Sequence, residues 1–132
     1  MSNSENQWNI QTVPQSFWDR IESAGRDAGK FEESLMGLSE RDLRELVAQY
    51  DGLSQALIVS GYQRFPEEVQ EEPPERLKEI ANWVITQGRT YYEDILAHPE
   101  KFPKRNEVRR PIFAGSIIDV YARKFGPWRD EE

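Results

Sequence analysis

With 132 residues and a formal net charge of −7, the chain has room for one domain, and splitting it would leave two pieces each too small to bury a core. It carries no cysteine and one histidine, which excludes disulfides, thiolate nucleophiles, Cys-ligated metals and multi-His centres. Seventeen Lys and Arg against twenty-four Asp and Glu repel a phosphate backbone at long range, so no nucleic-acid partner is expected. No apolar run approaches the roughly 18–20 residues of a membrane span. The opening MSNSENQWNIQTVPQ has neither a basic nor an apolar region of the signal-peptide kind, so a soluble cytoplasmic protein is expected.

In chain order, residues 1–13 read as an N-terminal arm, ordered only where Trp8, Ile10 and Val13 dock. A first helix follows Pro14, with Ser16 as its cap, Asp19 near its positive end and Phe17, Trp18, Ile21 and Ala24 as its apolar stripe. Gly25 and Gly29 should stop it by about residue 28. Phe31, Leu35, Met36 and Leu38 suggest one or two further turns.

Ser39-Glu-Arg-Asp42 reads as the next cap, an Asp variant of the Ser-x-x-Glu box. Leu43, Leu46, Val47 and Tyr50 then recur at helical spacing, and Leu53 and Leu57 prolong the same face across Asp51-Gly52, a candidate kink or break. The run Ala56 to Val59 looks buried on most sides. Residues 64–74, rich in proline and glutamate, form the clearest loop, and Pro74 suits the first turn of a helix.

That helix, near 75–97, is predicted to be the long central one. Its apolar positions from Leu77 to Leu96 fall within an arc of about 160°, wider than the stripe of an exposed helix. Gly88 lies near the middle of the arc, where a missing side chain admits a close neighbour. His98-Pro99 ends it, and a protonated His98 would suit that C-terminus. After a polar connector, a last helix spans 111–124 and stops at Gly126-Pro127. The expectation is an all-α, single-domain bundle of about five helices over 14–126, followed by an acidic tail, 127–132.

Ser16-Phe-Trp-Asp-Arg-Ile21, Trp83-Val-Ile-Thr-Gln-Gly-Arg89 with Tyr92, Asp94 to Pro99, and Val120 to Gly126 with its Tyr121 resemble a family of small bacterial proteins. The family is designated only as a domain of unknown function, number four-two-four-zero. The resemblance covers roughly residues 16–126, and the Trp83–Arg89 run is its most specific part. Where the family carries Asp-Gly-Phe, this chain has Glu75-Arg-Leu77, and His98 stands in the place of an Asp. The resemblance implies a helical intracellular bacterial domain and no particular activity.

Two clusters are candidates for function. Trp83, Gln87, Arg89 and Tyr92 offer an indole, an amide, a guanidinium and a phenol, which suit a polar small-molecule site; alternatively they serve packing, with Arg89 paired to Glu93. Glu67, Glu68, Glu71, Glu72, Glu75 and Glu79 form an acidic block, read either as a solvated segment or as a docking surface for a basic protein. The basic block Lys101, Lys104, Arg105, Arg109 and Arg110 could hold an anion or pair with the acidic one. Trp8 and Trp128 are interface candidates, or fold back on their own domain. Adjacent carboxylates such as Glu93-Asp94 diverge on a helix, and no phosphate-loop, dinucleotide or zinc-protease motif occurs, so no catalytic residue, metal or cofactor is assigned. The preferred reading is a non-enzymatic regulatory or protein-interaction domain, immunity-type in one concrete form. The alternative is an enzyme-like site around Gln87, Arg89 and Tyr92.

Overall fold

A computed structural model describes residues 8–129. The start of the expected arm, 1–7, and the end of the expected acidic tail, 130–132, lie outside the described residues. Among those described, all regular structure is helical, in seven α-helices rather than about five: α1 (Gln15–Ser23), α2 (Ala28–Leu35), α3 (Glu40–Gly61), α4 (Glu67–Gln70), α5 (Pro74–Thr86), α6 (Arg89–Ala97) and α7 (Phe113–Phe125). No helix is long and apolar enough to cross a membrane.

The helix ends follow local chemistry. Pro14, in extended conformation, starts α1 two residues earlier than expected, so Ser16 falls inside the first turn and caps nothing. Gly25 and Arg26 take positive φ values of 56° and 66° and turn the chain away after Ser23. Asp27 caps α2 by accepting from the Lys30 N–H at 3.0 Å. Ser39 caps α3 as expected, accepting from the Asp42 N–H at 3.1 Å. Gly52 does not break α3, because buried Leu53 and Leu57 hold the helix against a propensity cost of about 1 kcal/mol.

The central helix is α3, which packs against α5, α6 and α7. The segment 75–97 is not continuous: α5 ends at Thr86 and α6 begins at Arg89. Between them Gly88 adopts φ 109° and ψ 172°, a conformation essentially reserved for glycine. The apolar arc spans this break because both pieces rest on α3. Gly88 therefore serves the backbone rather than a helix–helix seam. The true close approach is at Gly61, where an added Cβ would meet Pro99 Cβ and the Phe65 ring at 2.9 Å.

The core joins all the longer helices. Trp18 is 0% exposed and lies between Phe17 and Tyr92, with ring centroids 5.2 and 5.6 Å away. Phe31 stacks on Phe113 at 4.2 Å, docking α2 on α7. A buried polar junction joins three helices. The Tyr50 hydroxyl of α3 meets Thr86 Oγ1 of α5, which also accepts the Phe113 N–H at the start of α7 at 3.1 Å. Thr86 donates its own proton to the Asn82 carbonyl, so Tyr50 is the donor in their bond.

Candidate functional site

The cluster from Trp83 to Tyr92 does not converge. Trp83 Nε1 donates to the Arg109 carbonyl at 2.6 Å, and its ring meets Tyr91 edge-on at 5.9 Å. Gln87 Nε2 donates to the Trp83 carbonyl one turn back, at 3.1 Å. Arg89 bonds Glu93 at 2.9 Å, as expected, and also Gln15 Oε1 on α1 at 2.6 Å, while its backbone N–H donates to Glu22 Oε2 at 2.9 Å. Tyr92 is 0% exposed and donates to the Leu53 carbonyl at 2.8 Å. Burial raises its pKa, and burial followed by the nearby Glu107 and Asp94 carboxylates raises that of Tyr91. These polar groups are spent on holding α1, α3, α6 and the connector together. The helix break turns them to different neighbours.

The acidic block lies on fixed structure, not on the loop expected over 64–74. Glu67 and Glu68 open α4, whose Val69 is buried; a single turn of helix does not stand alone, and burial here supplies what propensity cannot. A reciprocal clamp adds to it: the Tyr62 hydroxyl donates to the Gln70 carbonyl at 2.7 Å, and Gln70 Nε2 donates to the Tyr62 carbonyl at 3.0 Å. Glu67, Glu68, Glu71 and Glu75 are exposed, and Glu72 is half-buried.

One link joins the acidic and basic blocks. Lys104 Nζ lies 3.0 Å from Glu68 Oε1, and that hydrogen bond and charge raise the Lys104 pKa. The two residues flank a cleft of about 430 Å³ also lined by Glu72, Arg105 and Arg109. Glu79 pairs with Arg76 at 2.6 Å and Lys101 approaches Asp94 at 3.5 Å, so part of each block is consumed within the fold. Glu71 and Glu75 form no ion pair among the described residues.

The feature that the sequence reading missed is a groove of about 650 Å³ between α3 and α5. Its α3 bank is Asp51, Ser54, Gln55, Ile58, Val59 and Tyr62; its α5 bank is Pro74, Leu77 and Lys78, with Glu72 at the entrance. The Ala56–Val59 run is thus two-sided. Leu57 enters the core, whereas Val59 is 73% exposed on the groove. Asp51 and Lys78 close one end with a 2.5 Å ion pair, and Tyr62 and Glu72 mark the other. Ser54 is 1% exposed and its Oγ has no hydrogen-bond partner. No hydrogen bond joins it to the Asp51 carboxylate on the same bank, so the two are not held as a nucleophile–base pair. The spacing i, i+3, i+4, i+7, i+8, i+11 from Asp51 to Tyr62 was the available signal, a second helical stripe beside the core one.

His98 caps α6 with its backbone, and Nδ1 stands 3.5 Å from Glu100 at the surface. Trp128 folds back on the domain, edge-on to Tyr121 at 4.8 Å and over the Arg44 guanidinium at 4.6 Å. Trp8 also packs on the core. Among the described residues no group of three or more Asp, Glu or His could hold a metal ion. No protein-family model, curated protein or solved structure matches the chain, so the resemblance to the bacterial domain family rests on the motifs quoted above.

Proposed function

We propose that the protein is a non-enzymatic binding module that engages a basic protein partner through the acidic face formed by Glu68, Glu71, Glu72 and Glu75. The observation that carries this reading is the mounting of those carboxylates. They project from α4, the turn after it and the first turn of α5, held by buried Val69 and by the Tyr62–Gln70 clamp, so they meet a partner without first being ordered. In its most concrete form the module is a bacterial, cytoplasmic regulator of the immunity type, neutralising a basic protein.

Charges of this kind act mainly on encounter. Their reach shrinks from about 10 Å at 0.1 M salt to about 3 Å at 1 M. The test is a variant with Glu68, Glu71, Glu72 and Glu75 all changed to Gln, and a partner co-purified from the native host. Association at low salt should slow by about tenfold or more, and its salt dependence should flatten. Equal rates and equal salt slopes for parent and variant would refute the reading. The fold should tolerate the change, since exposed ion pairs such as Glu68–Lys104 contribute little to stability.

A further inference from the structure

We propose that the groove between α3 and α5 is the seat of an amphipathic helix of the basic partner, its apolar face laid on Ile58, Val59 and Leu77 and its Lys or Arg side chains directed to Glu72. This deepens the binding-module reading and rests on it. Shape, an unpaired hydroxyl and charge carry it.

The first is shape. The α3 bank runs from Asp51 to Tyr62, three turns, or about 16 Å at 1.5 Å per residue, and α5 supplies the facing wall through Pro74, Leu77 and Lys78. Two helices side by side leave a trough that suits a third, read by anchors at helical spacing. The floor is apolar and open: Val59 is 73% exposed, beside half-buried Ile58. Single exposed apolar side chains are ordinary, whereas a contiguous strip along a groove marks an interaction surface.

The second is the Ser54 hydroxyl. Helical Ser and Thr can return their proton to the carbonyl four residues back, and Ser60 and Thr86 do so here, at 2.7 Å to Ala56 and 3.0 Å to Asn82. Ser54 makes no such bond although it is 1% exposed. A buried hydroxyl with no partner on a groove wall is a hydrogen bond left for an occupant, here a polar side chain on the apolar face of the partner helix.

The third is charge. Asp51 neutralises Lys78 at one end, whereas at the other Glu72, Glu71 and Glu75 form no ion pair among the described residues, although Glu72 also borders the cleft of Lys104, Arg105 and Arg109. The occupant is therefore basic toward the Tyr62–Glu72 end. A second copy of this chain would bring the same net charge of −7 rather than a basic surface, which opposes self-association.

The test uses synthetic helical peptides of about 18 residues, long enough for the groove and for appreciable helicity. Each carries a Leu face with one central Gln; one has Lys at one end, and a control has Glu in place of Lys. The Lys peptide should bind the full chain, shift the backbone resonances of Ser54, Ile58, Val59 and Tyr62, and exceed the Glu peptide in affinity by about tenfold or more. Val59→Asn, at an exposed position, should weaken the Lys peptide by about tenfold, and Ser54→Ala by about fivefold, the latter only while the central Gln is present. No saturable binding of the Lys peptide at about 1 mM overturns the proposal. Binding unaffected by Val59→Asn, with shifts confined to residues 67–75, overturns the groove and leaves the acidic face standing. Equal affinity for Lys and Glu peptides overturns the basic partner itself. Chain dimerisation that buries the groove would identify a second copy as its occupant and overturn the partner helix.

Discussion

Replacing Gly88 with Ala isolates what holds the break between α5 and α6. At φ 109° and ψ 172° the backbone occupies a region where an L-residue carries a strain of about 1–3 kcal/mol. The added Cβ would also stand 3.3 Å from Glu22 Oε2, the far end of a flexible side chain that can withdraw by a few tenths of an ångström. The dihedral cost should dominate. Glu22 has its own role, since its carboxylate accepts the Arg89 N–H at 2.9 Å and so caps α6, which has no side-chain cap at its own N-terminal position. Glu22→Ala alone should therefore cost about 0.5–2 kcal/mol. Urea denaturation of the parent, both single variants and the double variant separates the two contributions. If strain dominates, the double variant loses the sum of the single losses to within about 0.5 kcal/mol. A Gly88→Ala midpoint at or above the parent's would refute the backbone argument. Rescue of most of its loss by Glu22→Ala would show that the contact, not the dihedral, sets the cost.

Thr86→Val should leave the Phe113 N–H and the Tyr50 hydroxyl without their shared acceptor, each at about 1–3 kcal/mol, and Tyr50→Phe in the same chain should recover part of the loss in thermal or urea melts. Stability should fall as pH rises above about 10. Burial lifts the pKa of Tyr50 and Tyr92 in the fold, so the unfolded chain releases their protons first, at about 1.4 kcal/mol per pH unit for each tyrosine; Tyr92→Phe should reduce that slope by about the share of one tyrosine in alkaline urea titrations, with Tyr50 and the raised Tyr91 still contributing. The stabilisation is complete below pH 10 and is lost between there and the raised folded values. Trp128→Ala removes one face of the aromatic pair around Arg44, whose guanidinium lies 5.0 Å from the Tyr121 ring; it should cost about 1 kcal/mol and speed tryptic release of the C-terminal tail, followed by mass spectrometry.

Much of the architecture was legible where one residue type dictates one local outcome. Ser39 before a periodic run, Pro74 at a first turn, and His98-Pro99 and Gly126 as stops each act through their own backbone or a short side chain, and each appears where expected. What depended on distant partners was not. The break at Gly88 keeps the apolar arc in register, so periodicity continues through it, and the Glu22 carboxylate that caps α6 lies 67 residues away. α4 was hidden because its stability comes from Val69 burial and from Gln70 reaching Tyr62, not from its own four residues. The Trp83–Tyr92 candidates were recognisable as unusual, but their partners decide their use: Arg109, Gln15 and Leu53 sit on other segments. The groove escaped because hydropathy grouped Ile58 and Val59 with Leu57, although the three point in different directions on a helix.

The turn that carries the acidic face divides labour among its residues. Val69, Tyr62 and Gln70 fix its position, and both hydrogen bonds of the clamp run between a side chain and the main chain, so neither involves a carboxylate. The side chains of Glu67 and Glu71 take no part in the clamp, and that of Glu68 reaches out to Lys104. A scaffold and an alphabet held on separate residues can diverge at different rates. On the proposed reading, substitutions at the three glutamates should alter partner choice without disturbing the fold, whereas a change at Gln70 should displace all three together. If the acidic face is a docking surface, such a turn would allow its specificity to be re-lettered one charge at a time while the fold stays fixed.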